Sequence, residues 1–512
     1  MSGSTVAAAA APTPRLLRDL CYNIGGQLLP LLLAAVSVPV LIKQIGVDRF
    51  GLLTIAWMVV GYFNLFDLGL GRAMTRIVAD RLGSGRQAEV PRVVSSGLSM
   101  MTALGALAAL LVALATPWLI GLLHVPAEFV GQTRNAFVLL AVSVPAVILT
   151  TGLRGILEAH HRFRLTNAIR MPMGLWTFGG PLCVLPFTAR LDWIVASLVL
   201  GRYIATAVHV HFVFRQVGSA ALRAWPEQRI CRELLTFGGW MTISNVISPL
   251  MVYMDRFFIG ALLGSSAVAF YTSPYEVVFK LNIVSEGLFG VLFPLMVQRF
   301  ANDRGASDAM FALGAKLIVA CLFPAVLAVV VLAQPFLQLW LGTAFAQRSS
   351  LVMQLLAIGI FINGFSKVAF NLIQAHGRAD VTAGLHLLEL PLYSLALVLL
   401  VRRWGIDGAA VAWVLRMLVD AGLLWWMSRK VIGVSAGAIR SGAALGGCAC
   451  LVLCVFLWIA DATVRMLLAV PVLLGAALAF WVLVLGADER TNAAARLRVA
   501  VSRGAERLRI RA

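Results

Sequence analysis

Apolar runs of about 20 residues, separated by short charged or Gly/Pro-rich breaks, recur along the whole chain. Each is long enough to cross the roughly 30 Å hydrocarbon core of a bilayer as a helix. Their bounds predict fourteen helices, at 20–42, 50–71, 93–123, 135–158, 171–189, 192–214, 234–262, 267–298, 311–340, 351–375, 382–401, 406–428, 439–460 and 465–487. No interval remains for a large soluble domain, so the expected fold class is an all-α polytopic membrane protein.

The breaks between the apolar runs carry a second pattern. "RDL" at Arg18 is echoed by "REL" at Arg232, "IGVDRFGLL" from Ile45 by "LGSSAVAFY" from Leu263, and "ILEAHHRF" from Ile156 by "LIQAHGRA" from Leu372. The three echoes share nearly the same offset, about 215 positions, so six helices repeat. An even number of helices per copy gives both copies the same orientation, which predicts two parallel six-helix lobes with helices thirteen and fourteen appended. The expected organisation is a flexible N-terminus (1–14), an N-lobe (15–217), a cytoplasmic connector (218–232), a C-lobe (233–430), two further helices (431–487) and a basic cytoplasmic tail (488–512).

Composition agrees with this pattern. Of the 512 residues, 60% are hydrophobic and only 13% charged, against about a quarter charged in soluble domains. A net charge of +19 could indicate nucleic acid, but the cations lie in short loops rather than on one soluble face. With the N-terminus inside, the cytoplasmic segments hold about 29 of the 42 Lys and Arg, against about 8 outside and about 5 in the membrane. This places both termini in the cytoplasm.

The stretch "FNLFDLGLGRAMTRIVADRLGSGR" (Phe63–Arg86) has two glycines of a dinucleotide fingerprint, but Met74 occupies the third position. Arg72, Arg76, Arg81, Arg86 and Arg92 instead read as a positive-inside anchor. The start, "MSGSTVAAAAAPTPRLLRDL", lacks a charged beginning followed by an apolar core, so the first helix is expected to be retained. Seven cysteines without paired CxxC spacing read as packing residues.

The segments "IGVDRFGLLTIAWMVVGYFNLFDLGLGRAMTRIVADRLGSGR", "DRFFIGALLGSSAVAFYTSPYEV", "QAHGRADVTAGLH" and "WGIDGAAVAWVLR" resemble the polysaccharide transporters of the multidrug/oligosaccharidyl-lipid/polysaccharide superfamily, and more narrowly the Wzx-type flippases. The resemblance covers the first twelve helices and extends to the helix count. It implies a bilobed, multidrug-transporter-like bundle that moves undecaprenyl-diphosphate-linked oligosaccharide to the outer leaflet of a bacterial inner membrane, for O-antigen, capsule or exopolysaccharide synthesis. The implied partners are that lipid-linked cargo and membrane lipids, with a polysaccharide polymerase and chain-length proteins as further candidates, and no nucleic acid. No cofactor or metal is implied, and a proton or sodium ion is the candidate coupling ion.

Moving a phosphorylated, hydrated head group through hydrocarbon requires a polar path, because isolated charge is costly there. Intramembrane cations are the natural diphosphate ligands, arginine above all for its fork of donors. Arg202 in helix six and Arg416 in helix twelve lie near mid-helix and one repeat length apart. The competing reading for Arg416 is an ion pair with Asp420, one turn away. Lys280, Lys367 and Arg256 are further cavity candidates. Asp255, Glu276, Glu389 and Asp420 are candidates for ion coupling or ion pairing. Glu276 and Lys280 sit four apart in helix eight, with the acid N-terminal as a same-helix pair prefers. Asp255 and Arg256 are placed toward the outer end of helix seven, where Arg256 could reach water. Lys367 and Glu389 lack a sequence-adjacent partner and either line the cavity or close salt bridges across helices. His209, His211 and His386 are not at metal-ligand spacing. The alternatives are a drug/cation antiporter of the same superfamily and a membrane polymerase or ligase. Short outer connections with few acids or histidines speak against an enzyme.

Overall fold

A computed structural model of the chain describes residues 14–63, 69–218, 225–302, 307–459 and 461–479. The expected basic tail, most of the N-terminal segment and part of the connector fall outside the described residues. Among the described residues, eight helical stretches are long and apolar enough to cross a membrane, and two shorter apolar helices accompany them. The described residues are all-helical, and the chain is a multi-pass membrane protein. Burying every backbone polar group inside a helix is the solution hydrocarbon demands of such a sequence.

Contacts divide the chain into two compact units, Met1–Thr272 and Ser273–Ala512. The first contains α1 (Pro14–Ile45), α2 (Val47–Phe63), α3 (Leu70–Gly83), α4 (Val90–Leu122), α5 (Val130–Ala159), α6 (Phe163–Val184), α7 (Leu191–Val217) and α8 (Gln228–Leu263). Its centre is α5, which packs against α3, α4 and α7 and buries Leu140, Val144, Ile148 and Leu153 completely. The helix α8 docks on α2, α3 and α4.

The helix α9 (Ser265–Phe279) starts in the first unit. The second holds its end together with α10 (Asn282–Asn302), α11 (Ser307–Leu341), α12 (Thr343–Ala375), α13 (Ala379–Met427), α14 (Ala436–Trp458) and α15 (Ala462–Ala479). Here α12 is central, packed against α10, α11, α13 and α14. Three expected stretches are shaped differently. The span 50–71 ends as α2 at Phe63 and resumes as α3 at Leu70. The span 267–298 breaks at Lys280 and Leu281, whose amides reach back only to Val277 and Val278 (3.2 and 3.0 Å). The spans 382–401 and 406–428 form α13, interrupted at Gly405 (φ +60°, ψ −137°).

Left-handed residues end helices where a continued right-handed turn must stop, and they recur along this chain. Gly46 is matched by Gly264, His124 by Gly342, His161 by Gly377 and Gly218 by Gly433, each one repeat length on and all with φ between +47° and +91°. At the third of these pairs the cap itself recurs. The Arg162 amide donates to Leu157 (2.9 Å) and that of Arg378 to Ile373 (3.1 Å), the six-to-one bond that closes a helix C-terminus. In both caps the preceding histidine places Nδ1 2.9 Å from a carbonyl one turn back, His160 on Ile156 and His376 on Leu372.

Candidate functional site

In the first unit, α7 starts at Leu191 and carries Arg202 about three turns on, about 16 Å along the axis. The side chain is half-buried, and no carboxylate or side-chain hydrogen-bond partner meets it among the described residues. The helix turns its polar neighbours inward. Thr206 donates to the Arg202 carbonyl at 2.8 Å and lies 2.9 Å from Thr150 of α5, while His209 sits buried with Nδ1 2.8 Å from the Ala205 carbonyl. Asp192, ten residues before Arg202, is committed elsewhere, to Arg190 (2.7 Å) and to the Asn135 amide (3.2 Å).

The pair Asp255 and Arg256 differs from expectation. Arg256 does not reach water, since it is 1% exposed and Asp255 is fully buried. Gly264 reverses the chain in a single residue, so α9 folds back over the end of α8. Asp255, nine residues before that turn, accepts the Tyr271 hydroxyl, seven residues after it, at 2.7 Å. It also accepts the Arg256 amide at 2.7 Å, and the Arg256 guanidinium lies 5.3 Å from the Tyr253 ring centroid.

Glu276 and Lys280 do not share one helix as expected. α9 ends at Phe279, so Lys280 stands in the following turn, exposed, as is Glu276. The break removes the i, i+4 geometry on which a same-helix pair depends. Lys367 of α12 meets Asn282 at the start of α10, Nζ to Oδ1 2.9 Å, with Glu286 in electrostatic range.

The second unit brings three of the expected residues together. Glu389 lies roughly four helical turns before Gly405 and Asp420 roughly four after it, so the two halves of α13 present them at one level. Glu389 is 2% exposed and its Oε2 is 3.6 Å from Nε of Arg416. Asp420, which spacing alone would pair with Arg416, lies close to Glu389 and within electrostatic range of His386. The Arg416 guanidinium also lies 5.1 Å from the Tyr393 ring centroid. His386 stacks on Phe370 of α12, with ring centroids 6.1 Å apart.

Arg81, which the sequence presents as a solvated anchor, is enclosed. It is 9% exposed and lies 2.8 Å from Asp80, 2.9 Å from Glu89 and 3.0 Å from Glu233 of α8. Two of these acids are near it in the chain and the third is far away, so no spacing announces a common cation. Among the described residues no three His, Cys, Asp or Glu side chains gather as metal ligands.

The model of one protein family, described as "Polysaccharide biosynthesis protein", matches residues 16–300. The chain belongs to this family of polysaccharide biosynthesis proteins. A relative from Shigella flexneri, described as "Putative O-antigen transporter", is 30% identical over 421 residues, covering 82% of this chain and 99% of its own. The family fold is that of solved transporters at far lower identity. An inward-facing multidrug-resistance transporter of the MOP superfamily superposes with TM-score 0.66 at 14% identity, over 80% of this chain and 95% of its own. The lipid II flippase MurJ, in an inward closed conformation, gives the same TM-score of 0.66 at 12% identity, over 90% and 99%. The all-helical fold of the chain is therefore like that of these solved transporters, as expected from the sequence. Family and fold together make this chain a membrane transporter of polysaccharide biosynthesis.

Proposed function

We propose that the protein flips undecaprenyl-diphosphate-linked oligosaccharide from the cytoplasmic to the outer leaflet of a bacterial inner membrane by alternating access, supplying units for a surface polysaccharide. The observation that carries this reading is Arg202, a guanidinium midway along an apolar helix with no acidic partner among the described residues. A cation left in that position is suited to an anion that visits it. A drug/cation antiporter would gain nothing from it. The words "O-antigen transporter" and "lipid II flippase" attached to the relatives support the same cargo class, a sugar on a lipid diphosphate.

The reading includes fourteen spans with both termini cytoplasmic, arranged as two parallel repeats of six helices and two appended helices. The recurrence of left-handed helix ends at the repeat length supports the repeats. So does the equivalence of α5 and α12, each the central helix of its unit and each closed by the same histidine-containing cap. The substrate contacts are assigned to Arg202 and Arg416 first, with Lys280 and Lys367 as secondary cations. Arg256 is assigned a structural role through its burial beside Asp255.

The test is leaflet exchange of a fluorescent undecaprenyl-diphosphate sugar in proteoliposomes. Arg202→Gln should abolish exchange at normal abundance, and Arg202→Lys should restore part of it, because lysine keeps the charge and loses the fork. Full exchange by Arg202→Gln would refute the assignment.

A further inference from the structure

Two carboxyl groups of α13 share one guanidinium in a setting that cannot hold both as anions. Glu389 and Asp420 are 2% and 5% exposed and lie side by side. Both oxygens of Glu389 and Oδ1 of Asp420 are buried without a hydrogen-bond partner. The cation facing this pair is Arg416, 3.6 Å from Glu389. Two carboxylates in contact do not both ionise at low dielectric, and an unpaired buried charge is strongly disfavoured. One carboxylate opposite one guanidinium leaves the cluster neutral, so the other carboxyl is left to carry a proton.

The groups facing the pair, with the His386 imidazole neutral, are consistent with this count. Along α13 these are Arg416, His386 and Tyr393. From α12 the neighbour is Phe370, stacked on His386, while Lys367 of the same helix is turned to Asn282. The same neutrality rule applies when Arg416 is drawn toward another anion. The pair then loses its counter-charge and regains neutrality only by binding a second proton.

We propose that Glu389 and Asp420 form a proton site that holds one shared proton while Arg416 faces it and takes up a second when Arg416 turns to a diphosphate. Arg416 is then a switching residue whose engagement with cargo is linked to proton uptake, whereas Arg202 is a constant ligand. The proton comes from water and returns to water, and no covalent bond is made or broken. The linkage to cargo rests on the flippase reading; the shared proton does not.

Infrared difference spectra of the purified protein in nanodiscs read the protonated carboxyl directly. The native protein should show one buried protonated carboxyl. Glu389→Gln and Asp420→Asn should each abolish it, because either remaining acid pairs with Arg416 as an anion. Arg416→Gln should double it. Loss in only one of the two acid variants, or a signal that disappears with sodium rather than with rising pH, would overturn the shared proton.

The second readout is proton uptake from weakly buffered solution on adding undecaprenyl diphosphate, expected at about one proton per protein bound and absent in both acid variants. Binding without uptake would overturn the switch. Failure of the diphosphate to bind, with the infrared pattern intact, would overturn the switch and the cargo reading while leaving the proton site standing.

Discussion

The Arg81 cluster offers a quantitative test of how α8 is held. Arg81 donates from Nη2 to both oxygens of Glu233, at 3.0 and 3.3 Å, and from Nη1 to Asp80 at 2.8 Å. Its side chain is 11% exposed, but Glu233 is 40%, Glu89 45% and Asp80 56%. Solvent therefore screens the acid side of each contact, and every pair belongs near the surface value of about 0.2–1 kcal/mol rather than the buried one. One nitrogen shared by both Glu233 oxygens lacks the two parallel bonds of the strong fork, so this pair stays within that surface range. Removing the arginine also leaves Glu89 and Glu233 crowded without its charge, while Asp80 keeps Arg86 at 2.8 Å. Arg81→Gln is thus expected to cost about 1–3 kcal/mol and Glu233→Gln about 0.5–1 kcal/mol, with a coupling between them of about 0.5–1 kcal/mol. Equilibrium unfolding in mixed detergent–SDS micelles supplies the four corners of the cycle. High salt should shrink the coupling. Additivity within about 0.3 kcal/mol would show that the contact holds nothing, and the account of why α8 joins the first unit would fail.

Four further outcomes are expected. Gly377→Ala should destabilise by about 1 kcal/mol and His161→Gly should stabilise by a few tenths to about 1 kcal/mol in the same unfolding assay, because both positions are left-handed (φ +77° and +58°). At Gly51 a built Cβ would stand 1.8 Å from the Ser265 carbonyl oxygen, so Gly51→Ala should lower the thermal midpoint markedly and Gly83→Ala, in open space, should not. Asp461 accepts the amides of Thr463 and Val464 (2.7 and 3.0 Å), which holds its carboxyl below the usual range. The cap is fully present above the ordinary aspartate value near 4 and weakens as pH falls through the depressed one, so the protection of the first-turn amides of α15, taken relative to intrinsic exchange at each pH, should fall at acid pH and no longer do so in Asp461→Asn. Cysteine labelling in intact cells should spare the 81–88 loop and modify the 343–349 segment; the reverse pattern would invert the proposed topology.

The sequence made the helical class legible, because apolar run length is a local signal, and the resemblance to a known family implied the transporter fold, but the left-handed residues at the helix ends came only with the structure. The sequence failed where packing decides. Nothing in "VVFKLNIV" marks a helix break, since no glycine or proline stands there, and so Glu276 and Lys280 looked like neighbours on one helix. Arg256 looked able to reach water because the reach of a side chain says nothing about a second helix folding over it. The pairing of Glu389 with Arg416 was open to a register count about Gly405, which puts Glu389 and Asp420 at one depth. Spacing within a single helix pointed to Asp420 as the arginine's partner instead. The Arg81 cluster was not legible, because Glu233, which completes it, comes from a distant stretch of chain.

The hairpin about Gly405 also bears on how the chain enters a bilayer. The helix after the turn carries Arg416 and Asp420 near its middle, and the one before it carries Glu389. Ionised groups at the centre of a lone helix cost about 2.5–3.5 kcal/mol each during insertion, so the later helix on its own would meet a penalty of about 5–7 kcal/mol. The two halves are joined by a turn too tight to span anything else, and side by side they bring acid and base together. Insertion is then expected to be a joint event: the earlier helix waits at the translocon for the later one, and truncation just after Gly405 leaves it unable to settle in the lipid.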